Sequence, residues 1–353
     1  MLSILNRFRL EGAPVSCARY GSGHINETYL VETDAPHRYI LQKINRSIFK
    51  DVPALMENIR SVTTYLARLD PDPRHVLTLV PALDGPPWVK DGEGETWRVY
   101  EFVTGGICLD RAESAEDFYQ SAIAFGRFQT MLADFPAGTL HETIARFHDT
   151  PARYLALRRA MERDSEGRRR KVEKELEFAF SREKEAGGLM GLLAAGALPL
   201  RVTHNDTKLN NVILDEKTRT PLCVIDLDTV MPGLVANDFG DSVRFGASTA
   251  AEDEVDLMRV SLSLPLYETY VRGFLSACGA RLTRREVETL PLGAFLMTLE
   301  NGVRFLTDYL EGDHYYAIHR PSHNLDRCRT QFRLVQDMER KWDAMNEAVL
   351  RHG

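Results

Sequence analysis

A carboxylate, an ammonium and an amide lie close together in Thr203-His204-Asn205-Asp206-Thr207-Lys208-Leu209-Asn210-Asn211, and a second carboxylate, Asp226, follows fifteen residues after Asn211. Asn211 and Asp226 offer hard oxygen ligands. Mg2+ suits such ligands, takes few of them from protein and completes its shell with water and phosphate. Asp206 can accept or orient the proton of an attacking hydroxyl, and Lys208 can neutralise charge on transferred oxygens without fixed bidentate geometry. This is the minimum equipment for moving a phosphoryl group. His204 precedes the loop without an obvious metal or redox cluster, so it reads as a hydrogen-bonding residue that holds the loop. Singly, each of these residues also reads as a solvated or turn residue; the combined spacing carries the chemistry.

Two short apolar runs must bring the second carboxylate back. Val212-Ile213-Leu214 and Cys223-Val224-Ile225, separated by the turn-rich 215–221, predict a hairpin with Asn211 before its first strand and Asp226 at the end of its second. Antiparallel pairing then places both at one edge. The first hundred residues read mainly as strands: 16–20, 27–33 and 38–44, then 77–80 and 97–103, with a helix over 52–69 whose face is Val52, Leu55, Met56, Ile59 and Val62. After Thr104-Gly105-Gly106 helical spacing dominates. Phe118, Ala122, Phe125, Phe128 and Leu132 mark one helix. A charged helix is predicted over about 165–186, with Gly187-Gly188 as its stop, and Phe332, Val335, Met338, Trp342 and Met345 form a core-packing stripe.

The 353 residues are enough for two lobes, each with a sizeable core, and the composition is ordinary at 44% apolar and 27% charged. A net charge of -7 argues against a nucleic-acid surface, which needs a concentrated basic face. The basic run 168–171 is followed at once by Glu173, Glu175 and Glu177, as in a solvated helix laced with opposite charges. Five widely spaced cysteines suggest neither a disulfide framework nor a CxxC metal site. The N-terminus breaks into charge before a signal-peptide core can form, and no 18-residue apolar run occurs. A soluble, cytoplasmic protein without membrane or nucleic-acid partners is expected. With no zipper or interface pattern evident, the working expectation is a monomer.

His-x-Asp-x-x-x-x-Asn followed by an apolar residue and Asp resembles the catalytic loop and metal-binding segment shared by protein kinases and the aminoglycoside and choline phosphotransferase superfamily. The second aspartate lies in Val224-Ile225-Asp226-Leu227-Asp228, without Asp-Phe-Gly, and no Ala-Pro-Glu follows, so the resemblance favours a small-molecule kinase. It implies an α+β, bilobal protein-kinase-like fold with a small mixed β-sheet lobe and a larger helical lobe. Residues 1–103 would form the nucleotide-binding lobe with its hinge strand, and 104–353 the helical catalytic and sugar-binding lobe. ATP and Mg2+ are the implied cofactors.

Within the first lobe, the resemblance assigns Gly21, Ser22 and Gly23 to the nucleotide phosphates, although the full Gly-x-Gly-x-x-Gly form is absent. Lys43 would be the phosphate-binding strand lysine, held by Glu57 on the following helix. Strand alternation lets either Gln42 or Lys43 face the cleft, and only the lysine carries the charge. Backbone groups of Glu101, Phe102 and Val103 would read adenine.

Gly23-His24-Ile25-Asn26, Leu41-Gln42-Lys43-Ile44-Asn45, the two motif segments and 302–313 together resemble the N-acetylhexosamine 1-kinase branch. That implies phosphorylation of the anomeric hydroxyl of N-acetylglucosamine or N-acetylgalactosamine by ATP. His24, Asp241, Phe245, Arg304 and Tyr315 are the candidate sugar residues. Each has a structural alternative: Asp241 as a buried carboxylate, and Arg304 in an i,i+4 ion network with Glu300 and Asp308. Another acceptor, such as a different sugar, a choline-like amine or an aminoglycoside, stays open. A cationic acceptor would draw on Glu300, Asp308, Glu311 and Asp313. A binding scaffold without transfer would not need the whole set of Asp206, Lys208, Asn211 and Asp226. A metal-dependent hydrolase would need a further carboxylate, for which Asp228 is the one candidate.

Overall fold

The computed structural model describes residues 1–21 and 25–353. Its small lobe is a five-stranded antiparallel sheet in the order β1-β2-β3-β5-β4, formed by β1 (Pro14–Arg19), β2 (Glu27–Thr33), β3 (Arg38–Lys43), β4 (Val89–Lys90) and β5 (Thr96–Glu101). The two-residue period of a strand sends Tyr39 and Leu41 to one face, against the short helix α1 (Leu2–Leu5) and Phe8. Ile40 and Gln42 face the other way, into the cleft. Helix α2 (Val52–Leu69) starts where the Asp51 side chain accepts from the Ala54 amide, and it buries Leu55, Met56, Ile59, Val62 and Leu66. The predicted strand at 77–80 makes only an isolated bridge, Leu79 with Tyr100. Pro81 follows at once and has no N–H to extend a ladder.

The larger lobe opens with β6 (Gly106–Cys108), which pairs with β8 (Val212–Asp215), and β8 with β9 (Pro221–Val224), to give the predicted hairpin. β7 (Arg201–Thr203) pairs with β10 (Met231–Gly233). Around these stand α3 (Ala115–Met131), α4 (Thr150–Arg163), α5 (Glu173–Phe180), α6 (Glu183–Ala186), α7 (Gly188–Ala194), α8 (Val235–Gly246), α9 (Leu264–Cys278), α10 (Arg284–Glu288), α11 (Leu290–Glu311), α12 (His323–Arg340) and α13 (Trp342–His352).

The charged segment is not one helix. It breaks into a 3-10 turn at Arg169–Val172, then α5 and α6; α6 does stop at Ala186 with Gly187 as its C-cap, and Gly188 opens α7. Val172, Leu176, Ala179 and Ala186 all turn into one apolar cluster, and short kinked pieces present them where a straight rod would not. The C-terminal stripe is core, as expected, but is divided between α12 and α13 around Lys341.

Helix α11 is almost wholly buried and is the axis of the large lobe. It meets α8 backbone to backbone. A Cβ on Gly293 would lie 2.0 Å from the Ala236 carbonyl oxygen, and one on Gly240 would lie 2.3 Å from the Gly293 carbonyl oxygen. Gly293→Ala should therefore force the helices apart and lower stability by about 1–3 kcal/mol, read as a lower urea midpoint. An unchanged midpoint would mean that the contact is slack.

Candidate active site

The 203–211 loop is held from below by helix α8. Asp238 accepts the backbone N–H groups of His204 and Asn205, both at 2.8 Å, and the Gln129 side-chain amide at 2.9 Å. One turn on, Asp241 accepts the Thr207 N–H at 3.1 Å. Asn205 sits at φ +65°, a left-handed conformation that asparagine tolerates better than most residues. Its side-chain amide donates to the carbonyls of Thr203 and Thr229. His204 packs edge-on to Phe125 and Phe128 and places Nε2 2.8 Å from the Ile225 carbonyl, tying the loop to the end of the hairpin.

These anchors bring the predicted residues together. The Lys208 Nζ is 2.9 Å from Asp206 Oδ1, and the Asn211 side-chain amide donates to the Asp206 carbonyl (2.8 Å) and to Oδ2 (3.1 Å). The Ile225 N–H donates to the Asn211 carbonyl at 2.9 Å, so the hairpin delivers Asp226 beside Asn211, at φ +58°. Burial opposes ionisation of Asp206, but Lys208, His204 and the Asn211 amide outweigh it and hold the carboxyl below its usual range. Asp206 in turn keeps Lys208 protonated. Asp226 has the opposite setting. It opens to cleft water, yet the surrounding walls of both lobes, together with the neighbouring charges of Asp228 and Asp206, push its carboxyl up to about 7.

The donor set fits a hard divalent cation. Asn211 has spent its N–H groups, and among the described residues its Oδ1 accepts no hydrogen bond. Asn210 Oδ1 is buried at the same cleft without a partner, and the Asp226 carboxylate is destabilised as an anion in a way that a cation would relieve.

Between the lobes lies a cavity of about 570 Å³, in the range of nucleotide-sized sites, lined by Gly21, Ile40, Gln42, Arg98, Glu101, Phe102, Val103, Asn210, Asn211 and Asp226 among others. Ser22, Gly23 and His24 lie outside the described residues. The expected Lys43–Glu57 ion pair does not form. Lys43 shares the strand parity of Leu41, points away from the cleft and pairs with Glu95 (3.3 Å) and Glu27 (3.7 Å). Glu57 is on the exposed face of α2, 2.9 Å from His141. Gln42 faces the cleft instead, and the cation on that face is Arg98. The sequence signal for it is a lone arginine within Thr96-Trp97-Arg98-Val99-Tyr100, because a charge inside an apolar strand needs a buried partner. At the hinge, the N–H groups of Glu101 and Phe102 already donate to Thr78 and Arg38 carbonyls, so these two amides are not free for adenine.

On the other side of Asp206, Asp241 is the buried structural carboxylate: its second oxygen receives Arg244 at 2.8 and 3.1 Å. Phe245 is half-buried at the end of α8. The Arg304 guanidinium lies over Phe147, Tyr316 and Tyr315 at 5.2, 5.6 and 5.9 Å. The ion network along α11 is replaced by separate contacts. Glu300 accepts from Thr150 (2.7 Å) and meets His148 (3.0 Å), whose other nitrogen is 3.3 Å from the Asn205 carbonyl. Asp308 accepts the N–H groups of His314, Tyr315 and Tyr316 and the Asn324 amide, and so shapes the turn that sets both tyrosines over Arg304.

A two-lobed kinase-like fold with this loop and hairpin at the lobe junction defines a small-molecule phosphotransferase. The chain belongs to the phosphotransferase enzyme family (APH), whose model matches residues 16–272. Among solved structures it is similar to an aminoglycoside phosphotransferase from Alicyclobacillus acidocaldarius (TM-score 0.66, 14% identity, 99% of this chain and 96% of that one). It is also similar to an amicoumacin kinase in complex with AMP-PNP and Ca2+ (0.61, 13%, 96% and 92%) and to a microcompartment-associated aminopropanol kinase (0.59, 20%, 98% and 97%). At these identities the likeness is one of fold. Among the described residues no helix is long and apolar enough to cross a membrane.

A cation at Asp226 requires the ionised carboxylate, which protonation removes as pH falls through about 7. Calorimetric titration with Mg2+ or Mn2+ should therefore give an affinity that is level above that pH and falls about tenfold per unit below it. Level affinity down to pH 5 would rule out Asp226 as the ligand.

Proposed function

We propose that the protein transfers the γ-phosphoryl group of ATP, with Mg2+, to the anomeric hydroxyl of an N-acetylhexosamine. In this reading residues 1–103 hold the nucleotide, and 104–353 hold the acceptor and the reacting groups. The observation that carries the choice of acceptor is the charge beside Asp206. The carboxylates that a cationic acceptor would need are already engaged: Glu300 by His148 and Thr150, Asp308 by three backbone amides, and Asp313 by Arg168 and Asn324. Glu311 is on the surface. Near Asp206 stand Lys208 at 2.9 Å and Arg244, and the carboxylates beside them, Asp241 and Glu252, are both engaged by Arg244, while Arg304 on α11 lies over Tyr315 and Tyr316. An uncharged polyol bearing an amide oxygen suits that surface, and an amino alcohol or aminoglycoside does not.

Asp206 stays ionised, so its carboxylate accepts the hydrogen bond of the acceptor hydroxyl and aims the oxygen. Its low proton affinity makes it an orienting group first and a proton acceptor only as the bond to phosphorus forms. Lys208, held by Asp206, places its ammonium where transferred oxygens gather charge. Asn211 and Asp226 would hold the divalent ion, which supplies charge neutralisation on the phosphates when bound. The gap between the lobes excludes water when it closes, and this favours the alcohol over hydrolysis.

Asp206→Asn should lower turnover by about 10²–10⁴-fold while leaving Mg-ATP affinity near the native value. Asp226→Asn should weaken Mg-ATP binding itself, and native-like turnover in the first variant would remove Asp206 from its role. ATP consumption measured against free sugars, choline, aminopropanol and aminoglycosides, followed by phosphorus and proton NMR, tests the acceptor. Reducing-end anomeric signals that persist after stoichiometric ADP formation would exclude the 1-kinase reading.

A further inference from the structure

Asp228, two residues beyond the candidate metal ligand Asp226, is gripped from the opposite lobe. Arg98 Nη1 lies 2.5 Å from its Oδ1, and the Asn26 side-chain amide donates to its Oδ2 at 2.5 Å. Arg98 is 1% exposed and Asp228 2%, so neither charge has water for company. The grip continues into the small lobe. Arg98 forks Nε and Nη2 onto Gln42 Oε1 at 3.0 and 2.8 Å, Gln42 donates to Thr28, and Asn26 accepts the Asn45 N–H at 2.9 Å. Three strands of the sheet thus converge through side chains on one carboxylate of the large lobe. Its Oδ2 takes the Asn26 hydrogen bond, and its Oδ1 meets Arg98 as an ion pair without an aligned hydrogen bond.

The backbone between the two aspartates explains what the grip does. Asp226 is left-handed, a conformation that costs free energy and persists only when its surroundings hold it. On its N-terminal side Ile225 is fastened by the Asn211 carbonyl and by His204 Nε2. On its C-terminal side Thr229 Oγ1 donates to the His204 carbonyl within the large lobe, and Asp228, lying between Asp226 and Thr229, is the side chain gripped from the small lobe. A buried ion pair is a poor way to add stability, since an apolar pair of equal volume does as well or better. What it does supply is position.

We propose that Arg98 and Asp228 are positioning residues: their ion pair, closed across the lobes and steadied by Gln42 and Asn26, holds Asp226 in its left-handed conformation and so couples lobe closure to the aim of the metal-binding carboxylate. The proposal rests on the magnesium-nucleotide reading above.

The test uses the full chain, AMP-PNP binding by calorimetry with and without Mg2+, and urea unfolding. Arg98→Met and Asp228→Asn each leave a buried charge alone and should lower both the urea midpoint and the Mg2+-dependent affinity. The double variant has no orphan charge and should recover the midpoint. Its Mg2+-dependent affinity should still be weaker by about tenfold or more, a larger loss than that of the Mg2+-free affinity. Native Mg2+-dependent affinity in the double variant would overturn the proposal, leaving the pair merely structural. If the double variant does not fold, Arg98→Lys decides, because it keeps the charge but loses the fork onto Gln42. Weaker Mg2+-dependent affinity at an unchanged midpoint supports positioning, and native affinity overturns it. A native chain that binds no magnesium nucleotide sinks the phosphotransferase reading itself, which is a distinguishable result.

Discussion

One buried carboxylate, Asp238, governs the geometry of the site. Two consecutive loop amides and a glutamine converge on it. Burial pushes its carboxyl up and those amides pull it back, so its charge and the loop's shape depend on each other. Because Asp238 and Asp241 lie one turn apart on α8, the loop is seated on a helix, not merely strung between strands. Helix α8 in turn is locked to α11 by the backbone contact of Gly240 with Gly293, which leaves no room for either to slide. The same α11 carries Glu300, Arg304 and Asp308, so the phosphoryl-transfer loop and the acceptor-side residues are referred to one axis.

Electrostatics then divides the two candidate aspartates by their neighbours. Asp206 has an ammonium at 2.9 Å and is kept as an anion. Asp226 has two other carboxylates for company and is a poor anion until a cation arrives. Asp228 would worsen that further were it not paired with Arg98. The two lobes therefore meet at a charge pair, and the site is built at their junction instead of inside either lobe.

Much of this was legible in the chain. Strand β2 and helix α2 start and stop where alternation and helical spacing say they should, because both signals are local: a half-buried strand alternates every second residue, and Asp51 marks the helix start. The hairpin that returns Asp226 to Asn211 was equally readable. What failed had non-local causes. The strand expected at 77–80 lost its ladder to Pro81, and the charged helix broke because its apolar residues answer to α11 and α12. Charge alone favours Lys43, but strand parity points it outward and gives the cleft to Gln42, an outcome that depends on which face of the sheet the large lobe covers.

The sequence by itself determined the chemistry on offer: Asp206, Lys208, Asn211 and Asp226 are close enough along the chain, through one loop and one hairpin, that local pairing brings them together. Tertiary structure alone decided which groups tune and hold them. Arg98 and Asp228 are 130 residues apart in sequence, Gly240 of α8 meets Gly293 of α11 across 53, and His148 reaches Glu300 across 152 positions. Such partners carry no shared local pattern. A buried charge must find an opposite charge or a donor, but which one it finds is set by how the lobes and helices pack.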